Sequence, residues 1–309
     1  MAQPDDPYYE WQLEVVLTNM GELGIDLSKV ILLFTDRGKH IPDKIASKYP
    51  VKCFKYPDKR PALASQYIPS IRPYLWSVFL EENPEYCNED FVYQDSDIIY
   101  REPLDFNQFP LLASNHWYGA DVESYVGPDY LGSKGKDILQ RISYFLGLSN
   151  AESMMAFKGR SIGAQWIISK PTKEYWEDVY QKSYTLYSWM NKVQHQYDYI
   201  LKYNGGTQDY FIQVWCAEMY AELYLCNKYG ITTEKSKELE FSWSTDNISR
   251  YQETKILHNA GVTEEMRVRD KAFYKGEYIA RSPLYKNLSW VNQELCSSEY
   301  AKAIGKVRK

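Results

Sequence analysis

Residues 29–36 read KVILLFTD, five consecutive apolar side chains followed by threonine and aspartate. Strands of parallel sheets are covered by helices on both faces, so their sequences are nearly continuous in apolar residues. The stretch therefore predicts a strand of a parallel sheet, buried on both faces, with Thr35 and Asp36 at its carboxyl end.

Helical and strand patterns alternate along the chain on either side of this run. The predicted helices cover residues 8–23, 70–83, 172–192 and 206–230, and the predicted strands cover residues 51–57, 90–95, 111–116 and 162–170. Such alternation is typical of an α/β fold. We therefore predict a Rossmann-type, mostly parallel sheet flanked by helices, with an irregular C-terminal half.

The composition is that of an ordinary globular protein of 309 residues, with 44% hydrophobic and 25% charged side chains. The net charge of −5 argues against a broad polyanion-binding surface. Five widely spaced cysteines without a C-x-x-C pair indicate buried thiols in a reducing compartment. Because no apolar run could cross a bilayer and the first residues lack a signal-peptide pattern, we expect no membrane span and a cytoplasmic location.

An acidic triplet, Asp95-Ser96-Asp97, follows the predicted strand at residues 90–95. Ligands of open α/β sheets bind beyond the carboxyl ends of the strands, and carboxylates at positions i and i+2 supply the hard oxygen donors that Mg²⁺ and Mn²⁺ prefer. The alternative is a solvated turn. The apolar residues before and after the triplet favour the metal site, because two buried aspartates without a cation or other partner would be costly.

Five segments resemble GT-A glycosyltransferases in their order along the chain. FVYQDSDIIYREPL (91–104) resembles the strand–DxD–strand signature, and SIRPYLW (70–76) precedes it where the family has a helix that contacts the nucleotide. SIGAQWIISK (161–170) is similar to the segment under the donor sugar. VWCAEMYAEL (214–223) is similar to an element of hydroxyproline arabinosyltransferases and serine galactosyltransferases, and KILHNAGV (255–262) to the late histidine segment of the metal shell.

The resemblance implies one GT-A-like domain over residues 1–309, with nucleotide binding in 1–115 and donor-sugar and acceptor binding in 116–309. It implies metal-dependent transfer of a sugar from a nucleotide diphosphate, with a UDP-sugar such as UDP-arabinose or UDP-galactose as co-substrate. The expected acceptor is a hydroxyl of a glycan, a protein or another molecule. Nucleic acid is the less favoured acceptor because the chain is acidic. The expected cofactor is Mn²⁺ or Mg²⁺.

The metal ligands expected from this resemblance are Asp95, Asp97 and His258. A lone histidine after a strand is more often structural, but in LHNAG the following Gly261 permits close backbone approach, which favours a ligand. Glycogenin-like enzymes have H-x-x-G-x-x-K, whereas this chain has Glu264 at the lysine position. Lys271 or Lys275 is then the candidate for diphosphate contact.

The nucleotide- and donor-binding residues expected are Thr35, Asp36, Arg72, Ser96, Gly163, Ala164, Gln165 and Gly261. Several have structural alternatives. Thr35 and Asp36 are followed by Arg37 and Gly38, a combination of residues that also favours a turn. Arg72 suits a contact with a phosphate or a uracil and a solvated charge on a helix about equally. Small residues at Gly163-Ala164 allow either a sugar or a neighbouring strand to approach.

Asp209 and Glu218 compete for the reactive carboxylate. Nine positions apart, they would lie on opposite faces of one continuous helix. Asp209 in the first turn is stabilised by the helix dipole whatever its function. Glu218 lies among apolar residues and must be exposed, paired or functional. We therefore predict Glu218 as the catalytic residue and Asp209 as a donor-sugar or acceptor contact.

Two other functions fit parts of the sequence. A sugar nucleotidyltransferase also uses an α/β sheet and metal-binding aspartates, but TDRGKH (35–40) is a poor version of its glycine-rich basic loop. A non-catalytic carbohydrate-binding protein would account for the excess of 29 tyrosines and 9 tryptophans, because aromatic faces stack on sugars.

Overall fold

The computed structural model describes residues 1–112, 115–135, 137–204 and 212–307, with only the helical backbone for 197–204. The chain forms two compact units. Unit 1 comprises Met1–Asp58, Gln94–Gln108 and Lys237–Lys309, and unit 2 comprises Lys59–Tyr93 and Phe109–Ser236. The prediction of one functional domain divided at residue 115 stays a prediction.

Strands and helices are numbered along the whole chain. The strands are β1 (Ala2–Pro4), β2 (Ile31–Asp36), β3 (Lys52–Pro57), β4 (Asp90–Tyr93), β5 (Ile98–Tyr100), β6 (His116–Asp121), β7 (Ile162–Ser169), β8 (Thr232–Lys235), β9 (Phe241–Trp243) and β10 (Ile256–His258). The helices are α1 (Pro7–Glu22), α2 (Ile41–Lys48), α3 (Ala62–Ser65), α4 (Ile71–Glu82), α5 (Glu123–Val126), α6 (Pro128–Ser133), α7 (Ile138–Leu146), α8 (Ala151–Met155), α9 (Lys173–Asn204), α10 (Ala217–Lys228), α11 (Ile248–Glu253), α12 (Glu264–Asp270) and α13 (Ser297–Lys306). The α/β class is confirmed.

Unit 1 contains two three-stranded sheets. The first, β1-β2-β3, is parallel throughout, and the apolar run of residues 29–36 supplies its central strand β2. In the second, β5-β10-β9, β10 pairs antiparallel with β5 and parallel with β9. Asn19 of α1 exchanges two hydrogen bonds with the backbone of Tyr100, at 2.7 and 2.9 Å, which fixes the end of β5 against that helix.

An aromatic core fills the space beneath these elements of unit 1. Its largest members come from distant parts of the chain: Trp11 from α1, Phe273 and Tyr278 from the segment after α12, and Tyr300 from α13. Trp11 contacts the other three rings edge-on at centroid distances of 6.4–6.5 Å. Burial of rings this large is a main source of folding free energy, so the C-terminal segment is an integral part of unit 1.

Unit 2 is built on the four-stranded sheet β4-β7-β6-β8. β7 pairs antiparallel with both β4 and β6, and only β6–β8 is parallel. The prediction of a mostly parallel sheet is therefore wrong for this part of the chain, because apolar runs such as those of β4 and β7 suit any strand covered on both faces, whatever its direction.

Several boundaries also differ from those predicted. Residues 111, 112 and 115 are not strand, and the strand begins at His116 instead. Of the helix predicted at 206–230, the structure describes only residues 212 onward. A short 3₁₀ turn at Val214–Cys216 precedes α10 there. Gly230, with φ of +65°, follows α10 as predicted. Within the part of the chain that is described, no helix is both long and apolar enough to cross a lipid bilayer.

Candidate metal centre

Antiparallel pairing of β5 with β10 brings the acidic triplet to His258. Ile98, the residue after the triplet, lies directly opposite His258 in the strand register. The backbone N–H of Asn259 donates to the carbonyl oxygen of Asp97 at 2.8 Å, which continues the ladder by one step. The triplet follows the carboxyl end of β4, as predicted, but β4 pairs antiparallel with β7, so the expected parallel sheet at this point is wrong.

Three side chains converge at this point. Nε2 of His258 lies 3.4 Å from Oδ1 of Asp97 and 3.6 Å from Oδ2 of Asp95. One ligand atom from each residue lies within 4.8 Å of the other two, and this is the one such group among the described residues. Metal–ligand bonds of about 2.0–2.3 Å can span separations of that size.

The donor set fits a divalent cation such as Mn²⁺ or Mg²⁺. Two carboxylates supply hard oxygen atoms and charge compensation, and an imidazole nitrogen is a common ligand of first-row metals. His258 and Asp97 are buried and Asp95 is half-buried, so part of their hydration is already lost in the fold. The residues predicted as metal ligands are thus placed together by the fold.

The ring of His258 is held between aromatic neighbours. β9 pairs in parallel with β10 so that Trp243 lies beside His258, and the two rings stack at a centroid distance of 5.7 Å and an angle of 15°. Phe241 contacts the same ring edge-on at 5.5 Å. Such packing restricts the rotation of the imidazole, and sequence patterns gave no sign of this role for Trp243.

Lys275 is the cation that contacts Asp97. Its ammonium forms an ion pair with Oδ2 of the carboxylate. Burial would raise the pKa of Asp97, but the opposing charges of Lys275 and His258 outweigh it and hold the pKa well below its usual range. Burial likewise lowers the pKa of Lys275, but Asp97 reverses the effect and raises it above its usual range. Asp97 is therefore a carboxylate, and Lys275 an ammonium, at neutral pH.

Two tyrosines at the start of α1 lie near this charge cluster. Asp6 caps the helix by accepting a hydrogen bond from the backbone N–H of Tyr8 at 2.9 Å. Burial raises the pKa of Tyr8 and of Tyr9, and the charge of Asp97 raises both further. Both hydroxyls thus remain protonated and can act as hydrogen-bond donors. The DxD pattern gave no indication of them, because Tyr8 and Tyr9 lie in the first of the three sequence segments of unit 1 and Asp97 lies in the second.

The loop at residues 37–41 folds around a buried carboxylate. Asp5, fully buried, accepts hydrogen bonds from the backbone N–H groups of Lys39 at 2.7 Å and Ile41 at 2.9 Å, with longer contacts from Arg37 and His40. Backbone amides at the start of a helix often bind phosphate. Here a side chain of the protein itself satisfies them.

Thr35 and Asp36 sit beside that loop. The side chain of Thr35 is fully buried, and the carboxylate of Asp36 accepts a hydrogen bond from the N–H of Gly38 at 3.0 Å. Asp36 thus makes the turn contact that was the alternative to nucleotide binding. The nucleotide-binding role of both residues stays a prediction.

Arg72 and Glu218 form an ion pair within unit 2, in which Glu218 is buried and Arg72 is partly exposed. Nε of Arg72 donates to one oxygen of Glu218 at 2.8 Å, and Nη2 contacts the other oxygen. Tyr93 donates to Glu222 at 2.6 Å and approaches Glu218 at 3.3 Å, and the hydroxyl of Tyr67 accepts from the N–H of Glu218 at 2.9 Å. Arg72 is thus neither a solvated helix charge nor a free phosphate ligand in this structure.

This arrangement changes the interpretation of Glu218. It lies in the first turn of α10 and not mid-helix as predicted, because the helix begins at Ala217. The side chain is buried, and a guanidinium binds both of its oxygens. A base must reach the proton that it removes, so the geometry favours a structural anchor. Asp209, the alternative, lies outside the described residues, and both catalytic assignments stay predictions.

Gly163, Ala164 and Gln165 form an irregular part of β7. The register of β7 against β6 shifts here, and Ala164 has a left-handed φ of +60°. A Cβ on Gly163 would lie 2.9 Å from the terminal methyl group of Met219 in α10 and 3.0 Å from a methyl group of Val122, so the small residue gives room to these side chains and not to a neighbouring strand. Gln165 is fully buried.

The last two donor-site candidates belong to unit 1. Ser96, between the two aspartates, is buried. Gly261 has φ of +80°, which glycine adopts without strain, and an added Cβ would only touch the ring of Trp243 at 3.7 Å. Turn formation accounts for Gly261 better than the close backbone approach that the sequence suggested.

Comparisons of the sequence with known proteins give no indication of the function of this protein. No protein-family model matches the chain, and no curated protein has a significantly similar sequence.

Proposed function

We propose that the protein is a metal-dependent glycosyltransferase of GT-A type that uses a nucleotide-diphosphate sugar, in the first place a UDP-sugar. The observation that carries the proposal is the convergence of Asp95, Asp97 and His258 between β5 and β10. A DxD pair joined by a late histidine is the arrangement that the sequence resemblance led us to expect for a cation that binds a diphosphate.

Asp97 and His258 would hold Mn²⁺ or Mg²⁺, with Asp95 as a further ligand. When bound, the cation would supply electrostatic stabilisation of the charge that develops on the departing diphosphate. Asp97 is suited to this task because it is charged and buried, and Trp243 orients the histidine.

Lys275 gives the site a second source of positive charge. In the structure it neutralises Asp97, and a bound diphosphate would offer its ammonium other oxygen atoms at short range. It thus suits the diphosphate contact that Glu264 cannot make. The hydroxyls of Tyr8 and Tyr9 remain protonated next to the same charges and would act as donors to an anionic ligand.

The Asp5 loop argues against the nucleotidyltransferase alternative. Such an enzyme needs the backbone amides after its first strand for the phosphates of a nucleoside triphosphate. In this protein the amides of Arg37, Lys39, His40 and Ile41 are bonded to Asp5, and that of Gly38 to Asp36, so side chains of the protein itself already occupy them. The acceptor is proposed only as a hydroxyl compound, and the sugar as a pentose or hexose.

The test is a panel of UDP-sugars, including UDP-arabinose and UDP-galactose, assayed for UDP release with Mn²⁺ and with EDTA. We expect at least one donor to be cleaved with Mn²⁺, EDTA to abolish release, and Asp97→Asn to reduce it about a hundredfold or more, as expected for loss of a group that binds the transition state. Asp43→Asn, at an exposed aspartate of unit 1, is the matched control.

Inertness of every donor in the presence of metal would refute the proposal, as would undiminished UDP release by Asp97→Asn. Pyrophosphate release from UTP and a sugar phosphate would show a nucleotidyltransferase. Sugar binding without cleavage, unchanged in Asp97→Asn, would show a carbohydrate-binding protein.

A further inference from the structure

Unit 1 contains a cavity of about 270 Å³ that is lined by Arg267, Lys271 and Trp290. Arg267 belongs to α12, Lys271 follows that helix directly, and Trp290 lies in the segment before α13. Among the described residues, its lining carries two positively charged side chains and no carboxylate. This composition differs from that of the metal centre, where carboxylates predominate.

Arg267 is fixed in place with part of its guanidinium available. Nη2 donates to Glu277 at 2.9 Å and Nε contacts the other oxygen of the same carboxylate. The guanidinium carbon lies 5.4 Å from the ring centre of Trp290. Glu277 is shared with Arg281, whose Nη2 lies 3.1 Å away. The carboxylate thus orients Arg267 without fully neutralising the two arginines, and Nη1 donates to no acceptor among the described residues.

Lys271 is held in a conformation that a lysine rarely adopts. It caps α12 with φ of +58° and ψ of +32°, the left-handed region in which glycine is unstrained and other residues cost about 1 kcal/mol. Asn292 fixes this turn: its backbone N–H donates to the carbonyl of Lys271 at 3.0 Å and its amide to that of Asp270 at 3.2 Å. In the described part of the chain the ammonium of Lys271 has no carboxylate partner.

Trp290 completes the wall of the cavity. Its ring packs against the aromatic core of unit 1, so its position is fixed. Its indole N–H, like the free N–H groups of Arg267 and Lys271, has no acceptor among the residues that the structure describes. The guanidinium of Arg267 and the indole of Trp290, both held by their contacts, and the exposed ammonium of Lys271 therefore line a cavity to which the described residues contribute no side-chain acceptor.

We propose that this cavity binds a small organic phosphate, a phosphate monoester carried on a group of about sugar size. A phosphate monoester has a charge of about −1.5 to −2 and three acceptor oxygens, which match the two cations and the donor groups. A volume of 270 Å³ equals that of about nine water molecules at about 30 Å³ each, more than phosphate alone requires. The proposal is independent of the proposed transferase activity.

Calorimetric titration of the whole chain in EDTA and low salt tests this site, with glucose 6-phosphate as probe and glucose and inorganic phosphate as comparison ligands. We expect glucose 6-phosphate to bind more tightly than inorganic phosphate, and glucose not to bind. Lys271→Met should weaken binding about tenfold or more, and Trp290→Phe, which keeps the ring but removes the N–H, should weaken it less. Lys286→Met, at an exposed lysine of the same unit, is the matched control.

Lys275→Met separates this cavity from the metal centre and should leave the affinity unchanged. Absence of binding at millimolar glucose 6-phosphate would overturn the proposal, as would full affinity in Lys271→Met. A larger loss in Lys275→Met than in Lys271→Met would place the anion at the metal centre instead. Equal affinity for inorganic phosphate would overturn the assignment of an organic ligand.

Discussion

Asp97 is a buried carboxylate whose charge is maintained by its neighbours. The ammonium of Lys275 and the ring of His258 both face it, and together they outweigh the effect of burial on its pKa. A divalent cation at Asp97 would therefore compete with an ammonium that already neutralises one of its oxygens.

Lys275→Met should accordingly strengthen metal binding by the free protein. We expect the Mn²⁺ affinity, measured by calorimetry without nucleotide, to rise about tenfold, which corresponds to about 1.4 kcal/mol. UDP affinity in the presence of saturating Mn²⁺ should fall, because the diphosphate loses a cation. Lys286→Met should change neither value. Weaker Mn²⁺ binding by Lys275→Met would contradict this interpretation of the ion pair.

The sequence around Glu218 limited the roles that this residue could have, but it did not reveal the partner of its carboxylate. Its surroundings in the sequence predicted that it must be exposed, paired or functional, and the structure shows it buried and paired. The partner, Arg72, lies 146 positions earlier, and no local pattern reports a contact over that separation.

Glu218→Gln should destabilise the fold as well as affect any activity. Loss of one partner of a buried ion pair costs about 3–5 kcal/mol, and because Arg72 is partly exposed we expect about 2–4 kcal/mol in urea unfolding. Glu152→Gln, at an exposed position of α8, should change the free energy of unfolding by less than about 0.5 kcal/mol. A change as small as this control's, together with loss of UDP release, would restore Glu218 as a catalytic residue.

At the scale of elements, the sequence was informative about which segments are strands or helices and not about how the strands pair. The helices α1 and α4 and the strands β2 and β7 were predicted within a few residues, because caps and apolar runs are local signals. Strand direction depends on distant partners. The antiparallel pairing of β5 with β10 brings Asp95, Asp97 and His258 together as the candidate metal centre, yet nothing within either segment specifies that pairing.

The sequence patterns did not predict β1 and placed the start of β6 incorrectly, and both errors have a physical reason. β1 has three residues, AQP, too few to show an alternating pattern, and it becomes a strand only through its parallel partner β2. β6 begins at His116 because the apolar residues of HWYGAD occupy the interior of unit 2, whereas Leu111 is exposed and Leu112 only half-buried.

The packing of β7 against α10 gives a prediction at this scale. Gly163→Ala should destabilise the protein by about 1–3 kcal/mol, since the new methyl group would lie 2.9 Å from Met219 and 3.0 Å from Val122. Gly132→Ala in α6 is the control, because a Cβ there meets nothing within 4 Å and alanine favours helix. The measurement is urea unfolding, and equal stability of both variants would show that Gly163 is not held by packing.

At the scale of the whole molecule, the chain passes repeatedly between the two units. Unit 1 is assembled from three segments of the sequence, and the candidate metal centre draws Asp95 and Asp97 from the second and His258 and Lys275 from the third. Local patterns cannot reveal such an assembly, although the order of the motifs did point to the same residues. A ligand that joins these segments would stabilise unit 1 as a whole.

Mn²⁺ should therefore raise the stability of the wild-type protein. Binding to the folded state alone adds about 2.7 kcal/mol at a concentration one hundred times the Kd. We expect a higher Tm with Mn²⁺, reversed by EDTA, and greater hydrogen-exchange protection of residues 94–108 and 256–262. Asp97→Asn should lose both effects while Asp43→Asn keeps them. A Tm increase that persists in Asp97→Asn would place the metal elsewhere.

The central claim is that Asp95, Asp97 and His258 hold a divalent cation that binds a nucleotide diphosphate. Anomalous diffraction at the manganese edge, from crystals grown with Mn²⁺ and UDP, tests it most directly. We predict one strong peak about 2.0–2.3 Å from Asp97 and His258, with diphosphate oxygens completing its coordination. Absence of manganese from Asp95, Asp97 and His258 in crystals that bind UDP elsewhere would contradict the account. Manganese bound only at other residues would contradict it as well.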